Sequence, residues 1–321
     1  MLPVIDSSNI VSLGEGWTPI QQLIKIQNTL GIKCILLKDE AVNPTGSFKA
    51  RGLSVAVSKL KELGIEHCII PTAGNAGGAL SAYAAKADMK ATVVMPKHSA
   101  ETLKEECRIY GAELILVDGL IDACGRKVIE LKKQTHAIDI STMKEPYRLE
   151  GKKTIGYEIA EQLNWKLPDV IIYPTGGGTG LLGMWKAFKE MQTMGLISEK
   201  LPRMIIVQPE NCNPMIQQFE NGSFPKPFHP SPSLALGLSV PFPFAKDIIQ
   251  QIVKESKGIG INCTENEMEV GIKDVAKIEG ILLSPEGAAC FVGLKKLIEK
   301  DYLIEDETVL IFNTGSWYKY R

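Results

Sequence analysis

Short apolar runs alternate with helix-like stretches between residues 65 and 140, and this rhythm restricts the fold more than any other feature of the chain. His67-Cys68-Ile69-Ile70 passes through the turn Thr72-Ala73-Gly74-Asn75 into an alanine-rich helical stretch, residues 76–86. Residues 91–95 read as a strand closed by Pro96, and Ser99 is placed to cap a helix containing Thr102 and Leu103. Leu114-Ile115-Leu116-Val117 is the next strand and residues 122–132 the next helix. Strand–helix units in series predict parallel sheets covered by helices, an α/β fold of three layers.

The rhythm resumes further along. Residues 154–163 read as helix, Val170-Ile171-Ile172-Tyr173 as strand, residues 181–191 as helix and Met204-Ile205-Ile206-Val207 as strand. Pro225, Pro227, Pro230, Pro232, Pro241 and Pro243 mark residues 221–243 as a loop that crosses the surface or lines a site. Helical patterns over 265–276 and 287–299 precede a last buried strand, Val309-Leu310-Ile311-Phe312. A chain of 321 residues is long enough for two cores. The expectation is two doubly wound domains: a larger one from residues 1–52 and 148–321, and a smaller one, 53–147, inserted into it.

A formal net charge of −1 gives no global field to draw nucleic acid or an anionic membrane, so neither is expected as a partner. No apolar run reaches the ~20 residues of a bilayer span. The start, Met1-Leu2-Pro3-Val4-Ile5-Asp6, lacks the basic region and apolar core of a signal peptide. Cys34, Cys68, Cys107, Cys124, Cys212, Cys263 and Cys290 are scattered, without the spacing of a zinc or redox pair, so no metal site is expected. An odd, dispersed set reads as reduced thiols in a cytoplasmic protein.

Two loops carry the chemistry. Asn43-Pro44-Thr45-Gly46-Ser47-Phe48-Lys49 sets a lysine behind a polar turn, just after the apolar run Cys34-Ile35-Leu36-Leu37. Thr175-Gly176-Gly177-Gly178-Thr179-Gly180 joins a strand to a helix. The plain reading of Lys49 is a solvated surface lysine; the functional one is a Schiff-base lysine. The plain reading of the glycine run is a flexible turn; the functional one is a set of backbone N–H groups at a helix start that hold a phosphate. No lysine follows Gly180, so the Walker A pattern is absent, and the glycine spacing does not suit a dinucleotide. Pyridoxal phosphate has an aldehyde for the lysine and a phosphate for the glycines.

Two further segments admit paired readings. Thr72, Ala73 and Gly74 either form an ordinary turn capped by Asn75, or hold a substrate α-carboxylate on helix N-terminal amides while Asn75 bonds a cofactor hydroxyl. Thr314 either bonds local backbone or partners the cofactor's ring nitrogen. A neutral hydroxyl there would steer the cofactor toward α-proton removal and elimination, away from transamination.

Together these segments resemble the fold-type II pyridoxal-phosphate enzymes, the tryptophan synthase β-like superfamily, and within it the threonine synthases. Leu13-Gly14-Glu15-Gly16-Trp17-Thr18-Pro19 and Pro146-Tyr147-Arg148-Leu149-Glu150-Gly151-Lys152-Lys153-Thr154 are similar to two segments of that family, and the resemblance runs from about Leu13 to Lys319. It implies that Lys49 holds pyridoxal 5'-phosphate in an interdomain cleft and shuttles protons. It implies that Gly176, Gly177, Gly178, Thr179 and Gly180 bind the cofactor's phosphate, that Asn75 meets its ring hydroxyl and that Thr314 meets its ring nitrogen. Arg148 resembles the arginine used on the substrate's phosphate; its plain reading is an ion pair with Glu145 or Glu150. Ala50, Thr142-Met143, Thr72-Ala73 and Trp317 depart from the family pattern, which thins the phosphate subsite. The implied reaction turns O-phospho-L-homoserine into L-threonine. A threonine or serine dehydratase, a β-replacement enzyme, and a non-catalytic binder of amino acid or cofactor share the same features. The resemblance also implies a homodimer acting on a small amino-acid substrate.

Overall fold

The computed structural model describes residues 2–225, 231 and 233–320. Pro227, Pro230 and Pro232 of the proline-rich stretch lie outside the described residues. Packing divides the chain into two units: Met1–Gly16 with Asn43–Thr154 and Lys319–Arg321, and Trp17–Val42 with Ile155–Tyr318. The strands among the described residues, in chain order, are β1 Ile20–Gln22, β2 Cys34–Asp39, β3 His67–Pro71, β4 Lys90–Pro96, β5 Glu113–Val117, β6 Ile138–Asp139, β7 Val170–Pro174, β8 Arg203–Pro209, β9 Gly260–Cys263 and β10 Thr308–Asn313.

The first unit holds a parallel four-stranded sheet in the order β5-β4-β3-β6. Successive side chains of a strand point to opposite faces, and the two cores follow that alternation. Cys68, Ile70, Ala91, Val93 and Met95 pack on one face with Leu53, Val57, Leu80, Tyr83, Leu103 and Cys107. Ile69 and Val94 pack on the other with Cys124, Val128 and Ala137. Helices therefore cover both faces, and the order reverses direction at β3, as expected of a doubly wound sheet. The Lys49–Glu62 helix and residues 148–154 also belong to this unit.

One local expectation fails here. Ser99 does not cap the Glu101–Ile109 helix, whose first flanking residue is Ala100 without a side-chain cap bond. The Ser99 hydroxyl instead donates to the Ala73 carbonyl at 3.4 Å, so a tertiary partner has replaced the local one.

The second unit holds a six-stranded sheet ordered β1-β2-β10-β7-β8-β9. Only β1 is antiparallel to its neighbour. Its central strands β7, β8 and β10 are buried almost throughout, which explains their continuous apolar sequences. The Pro285–Glu299 helix packs across β7 to β10, and Ser284 caps it by accepting from the Gly287 N–H at 3.1 Å.

Candidate active site

In the first unit, Lys49 opens a 14-residue helix behind a tight turn. Thr45 takes a left-handed conformation at φ 63°, and Gly46 donates back to the Asn43 carbonyl at 2.8 Å. The side chain of Asn43 accepts from the Gly16 N–H at 3.0 Å, so the similar N-terminal segment braces this loop. Lys49 is half-buried, with Nζ 4.1 Å from the centroid of the Phe48 ring. Ser47 Oγ and Thr45 Oγ1 beside it are buried without hydrogen-bond partners.

The turn after β3 is pinned by Thr72, whose Oγ1 accepts from the Gly74 N–H at 3.1 Å. Asn75 follows and heads the Ala76–Lys86 helix, but its side chain makes no cap bond. Its Nδ2 donates to the Tyr320 hydroxyl at 3.1 Å, while Oδ1 is buried without a partner. A buried carbonyl oxygen in that state wants a donor, which weighs against the plain reading of Asn75 as a cap. Lys319 ties the Lys49 loop to the Glu101–Ile109 helix: its ammonium donates to the Thr45 carbonyl at 2.7 Å and pairs with Glu106 at 2.7 Å. Glu106 in turn occupies the space that a side chain on Gly78 would need, 2.0 Å from its Cβ position.

Arg148 joins these residues through a close helix crossing. A Cβ on Gly52 would lie 2.8 Å from the Arg148 carbonyl oxygen, and one on Gly151 only 2.2 Å from that of Arg51. Two glycines thus let the Tyr147–Lys152 helix press against the Lys49–Glu62 helix. Arg148 is 4% exposed, donates from Nη1 to the Ile140 carbonyl at 2.7 Å, and leaves Nε without a partner. Glu150, the other acid of its plain reading, pairs with Lys153 at 2.6 Å. Glu145 lies near the guanidinium but accepts from the Arg148 backbone N–H at 3.0 Å. Burial pulls the guanidinium below its ordinary proton affinity and pushes the Glu145 carboxyl above its own.

In the second unit, the glycine loop and Thr314 sit at the carboxyl ends of the paired strands β7 and β10. That end of a parallel sheet is where α/β enzymes bind ligands. Gly176 has no room for a side chain, since its Cβ would lie 2.3 Å from the Gly237 carbonyl oxygen. Gly178 is left-handed at φ +72°, and its Cβ would lie 2.5 Å from Ile249. The loop opens the 15-residue helix Thr179–Thr193, which has no acidic residue in its first turn. The first turn of a helix carries N–H groups without intrahelical partners and the positive end of the dipole, so this end of the helix suits an anion.

Two supporting residues had no role assigned from the sequence. Glu286, 3% exposed, accepts from the Gly237 N–H at 2.9 Å and so braces the turn behind the glycine loop. Asn313, next to Thr314, donates to Asp39 at 2.9 Å and accepts from the Ser284 N–H at 2.9 Å. Its position before Thr314 was the one available signal, and only the fold shows the partners. Among the described residues no cluster of acids, histidines and cysteines is placed to hold a metal ion, and no helix is long and apolar enough to cross a membrane.

Known proteins match this arrangement. The profile of the pyridoxal-phosphate dependent enzymes fits residues 11–315. The chain is 36% identical to the threonine synthase of Methanocaldococcus jannaschii, over 99% of this chain and 78% of that one. It is 33% identical to the threonine synthase of Methanosarcina acetivorans, over 96% of this chain and 76% of that one. A fungal L-serine ammonia-lyase from Rhizomucor miehei has a similar structure, with a TM-score of 0.80 at 20% identity over 95% of this chain and 97% of that one. At such identity the likeness speaks for the fold alone. The sequence matches cover nearly the whole chain, and on them the chain belongs to the pyridoxal-phosphate dependent enzyme family.

Proposed function

We propose that this enzyme converts O-phospho-L-homoserine and water into L-threonine and phosphate. The observation that carries the reading is 36% identity to a threonine synthase along 99% of the chain. The residues present suit the family's cofactor. Gly176 and Gly178 leave a cradle that a side chain would fill, and Asn75 keeps a buried oxygen without a donor. When bound, pyridoxal phosphate supplies an electron sink beside the substrate's α-carbon.

In this reading Lys49 holds the cofactor covalently in the resting enzyme. The amides of Gly176 to Gly180 and the Thr179 hydroxyl hold its phosphate, Asn75 its ring hydroxyl and Thr314 its ring nitrogen. The amides of Thr72, Ala73 and Gly74 take the substrate α-carboxylate. As a free amine, Lys49 would remove the α-proton and return protons later in the sequence. Arg148 holds the phosphate that leaves Cγ, because a guanidinium fork matches phosphate oxygens. Loss of a β-proton, delivery of a proton to Cγ once the phosphate has left, and addition of water's hydroxyl at Cβ with return of a proton to Cα would complete the balance. The seven free thiols suit a reducing compartment, and we read the enzyme as a cytoplasmic homodimer.

A paired assay tests the reading. Cofactor-loaded protein given O-phospho-L-homoserine is expected to release phosphate and L-threonine in equal amounts, and given L-threonine to release little 2-oxobutanoate. Oxoacid from the second tube with a silent first tube would make it a dehydratase. Lys49→Ala is expected to lower turnover by at least about a thousandfold.

A further inference from the structure

The second unit holds both the glycine loop, after β7, and Thr314, just past the end of β10. A continuous line of contacts joins the two, and it runs through the first turn of the Pro285–Glu299 helix. At the Thr314 end, Asn313 uses both sides of its amide: Nδ2 donates to Asp39 at 2.9 Å and Oδ1 accepts from the Ser284 N–H at 2.9 Å. A carboxylate on one side and a backbone donor on the other leave that amide a single orientation. A Cβ on Gly287 would lie 2.7 Å from Asn313 Oδ1 and 3.2 Å from its Cα, so the helix start sits hard against β10.

Glu286 carries the line onward. Its carboxylate is 3% exposed, and Oε1 accepts from the Gly237 N–H at 2.9 Å. Gly237 belongs to a run of tight turns outside the sheet, in which the Leu238 N–H donates to the Ala235 carbonyl at 2.9 Å and the Val240 N–H to the Leu238 carbonyl at 2.7 Å. Gly176 of the glycine loop presses on this run. A Cβ there would lie 2.3 Å from the Gly237 carbonyl oxygen, 3.1 Å from the Leu238 Cα and 3.1 Å from Val240 Cγ2. A buried carboxylate on a backbone N–H makes a stronger bond than a neutral acceptor, so the brace on Gly237 is a firm one.

We propose that Glu286 is a positioning residue for the phosphate end of the cofactor: the helix start is a spacer that holds the glycine loop at a fixed reach from Thr314. This rests on the assignment of the glycine loop and Thr314 to pyridoxal phosphate made above, and on no particular substrate. A rigid ligand anchored at two ends binds tightly when the anchors already keep its own spacing. Glu286 acts through Gly237 and Gly176 rather than on the phosphate itself, which a carboxylate would repel.

The test titrates stripped protein with pyridoxal phosphate and with pyridoxal, which lacks the phosphate. The ratio of the two affinities reads the phosphate's share of binding. The wild type is expected to prefer pyridoxal phosphate, and Gly176→Ala to lose that preference. Glu286→Met is expected to cut the preference about tenfold, the worth of one charge-assisted hydrogen bond, with pyridoxal bound as before. Glu286→Gln keeps an oxygen for the Gly237 N–H and is expected to retain most of the preference. Gly237→Ala attacks the same contact from the other side, with a methyl 2.8 Å from Glu286 Oε1, and is expected to cut the preference too. It decides the matter if Glu286→Met does not fold. The phosphorus resonance of the bound cofactor is expected to shift or broaden in these two variants and to stay in place in Glu286→Gln. An unchanged preference in either folded variant, an equal loss for both ligands, or a Glu286→Gln as impaired as Glu286→Met overturns the proposal. Failure of the underlying assignment is a separate result: the wild type would show no preference for pyridoxal phosphate, or Gly176→Ala would keep it, and the proposal would fall with it.

Discussion

Asn75 stands where helix caps stand and caps nothing, giving Nδ2 to Tyr320 and keeping Oδ1 buried and bare. An unpaired buried oxygen costs about 1–3 kcal/mol, and a ligand hydroxyl removes that cost. Asn75→Ala is therefore expected to weaken pyridoxal phosphate about five- to tenfold while leaving the stripped protein no less stable, as measured by cofactor titration and thermal unfolding. Single residues were only partly legible in the sequence. Lys49 and the glycines announce themselves by their setting between strand and helix. Ser99 misleads, because a serine before a helix looks like a cap whether or not a distant carbonyl such as that of Ala73 claims its hydroxyl. Lys152 looks like any lysine next to another, and only its burial against Gly52 sets it apart.

At the scale of elements, the crossing of the Lys49–Glu62 and Tyr147–Lys152 helices depends on two missing side chains. Gly151→Ala would put a methyl 2.2 Å from the Arg51 carbonyl oxygen, and backbone on one side and a packed helix on the other leave it nowhere to go. The expected cost is about 1–3 kcal/mol in denaturant unfolding, with a raised KM as Arg148 is displaced. Lys319→Met would leave the Glu106 carboxylate buried without its cation, and burial already pushes that carboxyl above its usual range. The expected loss is about 3 kcal/mol, relieved in the double variant with Glu106→Gln. Long parallel strands such as β7 and β8 were easy to read, since strands buried on both faces are apolar from end to end. The two-residue strand β6 and the six-residue helix Tyr147–Lys152 carry no period long enough to detect.

For the whole molecule, two α/β units follow from a chain that repeats the strand–helix rhythm twice. Which segments join which unit was harder to see, because residues 148–154 join the first unit through side-by-side glycines, not through any pattern along the chain. All seven cysteines are free; six are buried and Cys34 is half-buried. Burial pushes Cys68 and Cys263 up to about 12, and Cys107, Cys124 and Cys212 to about 11. Thiolate is the reactive form, so at pH 8 a disulfide reagent is expected to modify Cys34 at most in the native protein. All seven thiols are expected to react in denaturant, with absorbance of the released reagent as the count. Lys319 and Tyr320, which hold the Thr45 carbonyl and Asn75, also bear on how the enzyme can be handled. A purification tag or surface anchor joined directly after them would pull on the turns at Thr45 and Asn75. A long flexible spacer, or attachment at the other end of the chain, would leave the catalyst intact on a support.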